Sequence, residues 1–568
     1  MSNQGEWVVV HTCSFLTNKQ NITKPIPNFY NNDVKTLTEV VKLTLQNNVT
    51  GEVKSKYIEN PMRSFYIAKP QFRDPNSPYY YNYKKENESL DNLDEYKCIN
   101  KNLPTEIMKA LGESTFGYRG LSLKQACNSP YVYGADIPQE VIFKHAINSK
   151  VTHGLSKINT GFLDLETSVL PTSKNKVIIS SFIDNNYNLY ITVLKDFLPK
   201  DWTEEDITSH VKERLKNVIL DHGLKITIDY FKTETEVILH SLKQVHESNI
   251  CMCGIWNIDF DIPRIIERLQ FLGVDVNMVF NSPKTPKKYR FFQYLKDHAQ
   301  VAHITDKWHV AITGSNVFFY DSMCLYSRER KIKGRKKNYQ LGYISSIETD
   351  LTKLSFGKEK GHYEMQNDPN NFPDYIAYGG LDPSLLRIME SKNNDTVALI
   401  SGLNYSRVQD YARATVCLRD DLFAYYKKIN RINGSVGTAD AMMTKWDKYI
   451  PAVGGNVLDP SLCFGTGLKC LREAPTIVTN ISRAVCDIDV SSMYPNLNIT
   501  FNISKKTKLS TCIYIVDENK KNYDLVQFFS HIVSPHENAV RVCNEYFNLP
   551  DYIQMENIVD SILEKKID

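Results

Sequence analysis

The sequence contains no Cys-x-x-Cys pair. Its 12 cysteines are scattered over 568 residues, and Cys251-Met252-Cys253 is the closest spacing, which is not a zinc pattern. Reduced thiols in a cytosolic compartment are therefore expected. No apolar run reaches the about 18 residues that a membrane span requires, and residues 1–6 show no basic-then-apolar leader. A large charge excess is missing too. The net charge of +3 excludes a uniformly basic nucleic-acid coat but leaves room for local basic stripes. No internal repeat is present. The remainder is ordinary for a globular protein, with 42% hydrophobic and 23% charged residues. The length suggests about three to five domains.

Residues 1–155 read as a mixed domain with Asn- and Tyr-rich loops, among them 79–85, expected to be a solvated loop. The pattern sharpens beyond 156. Gly161-Phe162-Leu163-Asp164-Leu165-Glu166-Thr167 is a strand candidate. Two β-rich runs, 176–182 and 187–194, flank the turn signal Asp184-Asn185-Asn186. Thr233 and Glu236 fit a capping box that opens a helix to about 247. Residues 250–256 form a buried-strand pattern, and Pro263 and Gly273 mark the two ends of a following helix. Residues 360–400, with Asn367-Asp368-Pro369-Asn370-Asn371 and Lys392-Asn393-Asn394-Asp395, read as a loop-rich insertion. A helical pattern returns over 408–432. A glycine-rich connection through Gly454-Gly455 and Gly465-Thr466-Gly467 then leads to a strand carrying Asp489.

Acidic residues supply the candidate chemistry. Asp164 and Glu166 stand at i and i+2 on one strand, so both carboxylates leave the same face. Two oxygen ligands on one rigid edge suit a hard divalent cation. Asp261 follows a strand end and a turning Asn257, at the mouth of a helix, where a carboxylate also suits the helix dipole. In the 410–432 helix the stripe Tyr411, Thr415, Leu418, Leu422, Tyr425, Ile429, Ile432 has the spacing of a core-facing side. Asp420 is then about 180° away and expected in solvent, Asp421 lies at the flank, and Asp410 sits at the stripe's edge, where it can line a cleft.

These segments carry a resemblance. Phe162-Leu163-Asp164-Leu165-Glu166-Thr167 is similar to the first exonuclease motif of family B DNA polymerases, and Asn257-x-x-Phe260-Asp261 to the second. Phe318-Phe319-Tyr320-Asp321 and Tyr339-Gln340-Leu341-Gly342-Tyr343-Ile344 resemble further segments of that domain. The family's third motif is Tyr-x-x-x-Asp, early in a long helix. Asp410 fits the helix position, with one residue too many after Tyr405; Asp420 keeps the spacing of the motif but lacks its Tyr. Asp410 is favoured, with Asp420 as the alternative. Asp489-Val490-Ser491-Ser492-Met493-Tyr494-Pro495 is similar to the first polymerase motif, and Ile499-Thr500-Phe501-Asn502-Ile503-Ser504 to the segment that follows it in T-even phage polymerases.

The resemblance implies an α/β chain of the α+β multidomain kind. It has an N-terminal domain (1–155), a ribonuclease-H-like 3′-to-5′ exonuclease domain (156–430), a connection returning to the N-terminal domain (431–470) and the first part of a polymerase palm (471–568). It implies two Mg²⁺ per active site, with Mn²⁺ possible, held by Asp164, Glu166, Asp261 and Asp410 for hydrolysis and by Asp489 for synthesis. Asp487 is an alternative to Asp489. Val490, Ser492, Met493 and Tyr494 would meet the dNTP. Neither the Lys-x-x-x-Asn-Ser-x-Tyr-Gly helix nor the Tyr-Gly-Asp-Thr-Asp hairpin of the family follows Asp489. Synthesis is thus expected only with a second polypeptide carrying fingers, the rest of the palm and thumb. A shortened product, a stand-alone exonuclease and an inactive DNA-recruiting scaffold are the alternatives. The expected setting is viral, in a host cytoplasm. Primer-template and single-stranded DNA ends are the expected substrates, with Lys287, Lys288, Arg290 and Phe292 interleaving cations and aromatics as single-strand binders do. A second basic run spans Arg328-Glu329-Arg330-Lys331-Ile332-Lys333-Gly334-Arg335-Lys336-Lys337.

Overall fold

A computed structural model describes residues 5–438, apart from 19, 28–35, 83, 114–121, 300–302 and 355–360, and also the strands Thr511–Ile515 and Asp524–Phe528. The chain divides into two compact units, residues 1–443 and 444–568. In the second, the two described strands form an antiparallel pair. Asp487, Asp489, Val490, Ser492, Met493, Tyr494 and the 454–467 glycines lie outside the described residues. The first unit is mixed α/β, built on a large mixed sheet with helices packed against it.

The unit opens with an antiparallel sheet of β1 (Trp7–Thr17), β2 (Thr23–Pro25), β3 (Thr38–Asn47) and β4 (Val53–Glu59), in the order β2-β1-β3-β4. Next come β5 (Met62–Ala68), β6 (Asn87–Ser89), β7 (Leu93–Ile99) and β8 (Val132–Tyr133), with β7-β5-β8 forming a small sheet. The loop read as solvated is only partly so: Tyr79 is exposed, but Tyr81 is buried, with its hydroxyl 2.9 Å from that of Tyr133.

The large sheet follows. It contains β9 (Thr160–Thr167), β10 (Val177–Ile183), β11 (Asn188–Leu194), β12 (Lys225–Phe231), β13 (Met252–Ile255), β14 (Phe292–Leu295), β15 (Val310–Thr313) and β16 (Phe318–Asp321). Their order is β12-β11-β10-β9-β13-β16-β15-β14. β9, β10 and β11 form an antiparallel meander, whereas β13 joins the far side of β9 in parallel and β16 joins β13 in parallel. Finally β17 (Arg431–Asn433) returns to pair with β6.

Adjacent residues of β10 point to opposite faces, and each face takes a helix. Ser180 meets Ser241 of the Glu234–Glu247 helix, with the two hydroxyls 2.6 Å apart. That helix opens with the Thr233/Glu236 capping box read in the sequence. Its buried Glu234 accepts the Val177 N–H and a two-armed ion pair from Arg268, locking the sheet to the Ile258–Phe271 helix. Ser181 lies on the other face, under the Phe372–Asn393 helix.

The Phe372–Asn393 helix corrects the expectation of a loop-rich insertion over 360–400. It runs 22 residues and is buried almost all round, so it lacks the polar stripe by which surface helices are recognised. Pro373 occupies the first turn, where no N–H is needed. Gly379-Gly380, which reads as a breaker, is instead the contact with the sheet. A Cβ on Gly380 would lie 2.5 Å from Ile191 Cδ1, and one on Gly379 would lie 3.2 Å from Glu166 Cγ. Pro263 is likewise internal, because the Ile258–Phe271 helix begins earlier than expected.

The 410–432 helix is shorter than expected, spanning Ala414–Lys428 after a 3₁₀ turn at Val408–Asp410. Its buried side carries Asp420, Phe423, Ala424 and Tyr426, while Leu418, Tyr425 and Ile429 are exposed. The middle of the stripe therefore faces outward, contrary to its spacing, whereas Ile432, beyond the helix, is buried. The helix instead packs polar groups inward: Asp420 is buried, paired with Arg419 and facing the buried Lys144.

The first and large sheets share one core, in which Val10, Cys13, Phe15 and Val40 pack with Val310, Ile312, Phe318 and Tyr320. The buried Lys42 ammonium of β3 donates to the carbonyls of Thr313 and Ser315 across this contact.

The glycine contact yields a prediction. Gly380→Ala should destabilise the protein by about 1–3 kcal/mol through overpacking against Ile191. Gly402→Ala, which meets nothing within 4 Å, should be neutral or stabilise by about 0.4–1 kcal/mol. Denaturant midpoints of the two variants check the pair.

Candidate metal centre

Four carboxylates meet at one end of the large sheet. Asp164 and Glu166 project from β9 on the face covered by the Phe372–Asn393 helix, with cross-strand partners Ser181 and Ile179. That helix brings Asp382, which is buried. One carboxylate oxygen from each of Asp164, Glu166 and Asp382 lies within 4.8 Å of the others. Asp261 arrives from the first turn of the Ile258–Phe271 helix and is buried. All four line a cleft of about 550 Å³, together with Trp256, Phe260, Gln340, Tyr343, Lys353 and others.

Crowding shows in the acidities. Burial pushes the Asp164 carboxyl well above the usual carboxylate range, and Asp382, Asp261 and Glu166 push it further. Burial, then the charge of Asp382, raises Glu166 to about 7. Burial and Glu166 raise Asp261, and burial raises Asp382 against the opposing pull of Lys353. Lys353 is ion-paired with Asp382, and its ammonium also donates to the Tyr378 hydroxyl at 3.0 Å. Lys353 thus opposes three of the four acids.

Asp382, and not Asp410 as the sequence leads one to expect, stands with Asp164 and Glu166. Asp410 does not line the cleft. It is buried elsewhere, under an ion pair from Arg407 at 2.7 Å, with Arg413 at 3.5 Å. Arg407 also reaches Glu140 of the Gln139–Asn148 helix, so this cluster fastens the start of the Ala414–Lys428 helix to the N-terminal region. Asp420 is outside the cleft as well. The available signal was Tyr378-Gly379-Gly380-Leu381-Asp382, which has the Tyr-x-x-x-Asp spacing without an extra residue.

The expected DNA-contacting residues are mostly engaged within the protein. Lys288 pairs with Glu59, the Arg290 guanidinium donates to the carbonyls of Thr285 and Pro283, and Phe292 stacks on Phe280. Lys287 is exposed. In the second basic run, Arg330 grips Asp395 with both arms and Arg335 pairs with Asp306, while Lys331 and Lys337 are exposed.

No protein-family model matches the chain, and no curated protein matches it. Among the described residues no helix is long and apolar enough to cross a membrane.

The acid cluster gives a pH prediction. With folded-state pKa values raised, the folded chain holds more protons than the unfolded chain between about pH 4.5 and 7. The stabilisation is complete below that window and is lost as pH rises through it. Metal-free protein should therefore lose roughly 1–3 kcal/mol of stability between pH 5 and 8. A chain with Asp164→Asn and Glu166→Gln should show a shallower fall. Melting temperatures in EDTA across that range measure both.

Proposed function

We propose that residues 156–430 form a 3′-to-5′ exonuclease domain of the ribonuclease-H-like kind, in the N-terminal part of a family B DNA polymerase. The observation that carries this reading is the meeting of Asp164, Glu166, Asp261 and Asp382 in one cleft. The sheet supports it: a three-stranded meander, then two strands added in parallel beyond its first strand, is the order that this fold requires. The motif resemblance supports it too, and Asp382 supplies the Tyr-x-x-x-Asp pattern at the end of the cleft where the third aspartate is needed.

The donor set fits hard divalent cations. All the ligands are carboxylate oxygens, they are at least half-buried, and their mutual repulsion is only partly offset by Lys353. Asp164, Glu166 and Asp382 would hold Mg²⁺ or Mn²⁺, with Asp261 completing a second position. Bound in pairs, such ions activate water and neutralise charge on the leaving 3′ oxygen.

The chain's own residues do the rest. Lys353 donates to the Tyr378 hydroxyl at the cleft wall, and that hydroxyl would orient the attacking water. Phe260, half-exposed at the rim under Arg264, offers a face for a terminal base. The cleft volume falls within the range of about 300–1,000 Å³ typical of ligand sites. DNA synthesis would use Asp489 and the segment following it.

Shortening of 5′-labelled single-stranded DNA in Mg²⁺ tests the reading. Asp164→Ala and Asp382→Ala should each lower the rate roughly 10²–10⁴-fold, equivalent to several kcal/mol. Asp410→Asn should leave most of the activity in the folded fraction. Full activity in Asp164→Ala, or equal losses in Asp382→Ala and Asp410→Asn, would reject the assignment.

A further inference from the structure

Glu166 is the only one of the clustered carboxylates bound by a tyrosine hydroxyl among the described residues, and that tyrosine is not Tyr378. Tyr375, one turn earlier in the same helix, donates to Glu166 Oε2 at 2.5 Å. Behind it stand Gln366 Nε2 at 3.2 Å and His362 Nδ1 at 3.1 Å from the same hydroxyl. Gln366 and Tyr375 are both buried, at 2% and 1% exposure.

With Glu166 ionised, as a cation ligand must be, hydrogen-bond accounting sets the direction of each bond. An ionised carboxylate only accepts, and a tyrosine hydroxyl has one proton to give. With that proton on Glu166, Gln366 and His362 must both donate to Tyr375. The Gln366 amide is oriented independently: its Oε1 accepts the Val169 N–H at 2.8 Å, and its Nε2 also donates to the Thr167 carbonyl at 3.1 Å. Its two N–H donors and its acceptor are thus all used, and the amide cannot flip without losing them. His362 presents its Nδ1–H, and its ring meets the Tyr375 ring edge-on. The network ties the end of β9, just past Glu166, to the helix that carries Asp382.

We infer that Tyr375, braced by Gln366 and His362, is a positioning residue that fixes which oxygen of Glu166 faces the cation cluster. This rests on the metal-site reading of the cleft and adds a residue that none of its motifs includes. The hydroxyl holds Glu166 against the repulsion of Asp164 and Asp382 while no cation is bound, so that the site is arranged before a cation arrives. Partners that orient metal ligands in this way typically contribute about 10–100-fold in affinity.

The test is titration of the full chain with Mn²⁺ alone, followed calorimetrically, with melting temperature in EDTA as the fold control. Tyr375→Phe keeps the ring and removes the one oxygen. It should melt within a few degrees of the unaltered chain, yet bind Mn²⁺ about 10–100-fold more weakly. In DNA shortening it should need correspondingly more Mn²⁺ for half-maximal rate, with most of the rate recovered at saturation. His362→Phe, at the exposed rim, should weaken binding in the same direction by a smaller factor. A residue that only packs the helix would leave Mn²⁺ affinity unchanged in both variants, and that result overturns the inference. Asp164→Ala separates the two levels. If it abolishes Mn²⁺ binding while Tyr375→Phe does not alter it, the positioning role alone falls. If Asp164→Ala binds Mn²⁺ like the unaltered chain, the metal-site reading falls and the positioning role falls with it.

Discussion

Mutual repulsion among four carboxylates is the constraint around which this unit is organised. Unpaired ions in a low-dielectric setting are strongly disfavoured, and among the described residues Lys353 is the one cation set against Asp164, Glu166 and Asp382. Neighbouring elements must therefore hold the four together. A central strand supplies two of them, a helix N-terminus a third, and a helix buried on nearly every side the fourth. The Glu234–Arg268 pair and the Gly379-Gly380 contact are the fastenings on the two faces. The network through Tyr375 is the same principle at the scale of one side chain.

What was legible in the sequence follows from how each ligand is carried. Asp164 and Glu166 lie two apart on one strand, so a linear motif contains their geometry. Asp261 was readable because a strand end and a helix start sit next to it. Asp382 was hidden by its setting, since a helix surrounded by protein shows no amphipathic period. Its Gly-Gly and its two prolines look like interruptions unless the sheet beneath is known. Asp410 has the helix-start position of a ligand, but the acid there pairs with Arg407, which also reaches Glu140, away from the cleft.

The Ala414–Lys428 helix makes the same point from the other side. Its apolar residues recur at core spacing, yet Leu418, Tyr425 and Ile429 are exposed, while Asp420 is wholly buried beside Arg419 and Lys144. Periodicity identifies a face and not what covers it. A facing charge cannot be read from local sequence, because Lys144 lies hundreds of residues from Asp420 in the chain. The same distance hides the pairing of Lys288 with Glu59, whereas the Arg290 ties to Thr285 and Pro283 are local.

The core shared by β1, β3, β15 and β16 has a consequence for how the chain comes apart. Residues 152–154, at the boundary expected between two domains, are exposed, and a protease can reach them. Cutting there severs one peptide bond, but Phe15, Val40, Phe318 and Tyr320 stay interleaved and Lys42 keeps its two carbonyl partners on the far side. The two pieces therefore migrate as one species until a denaturant is added.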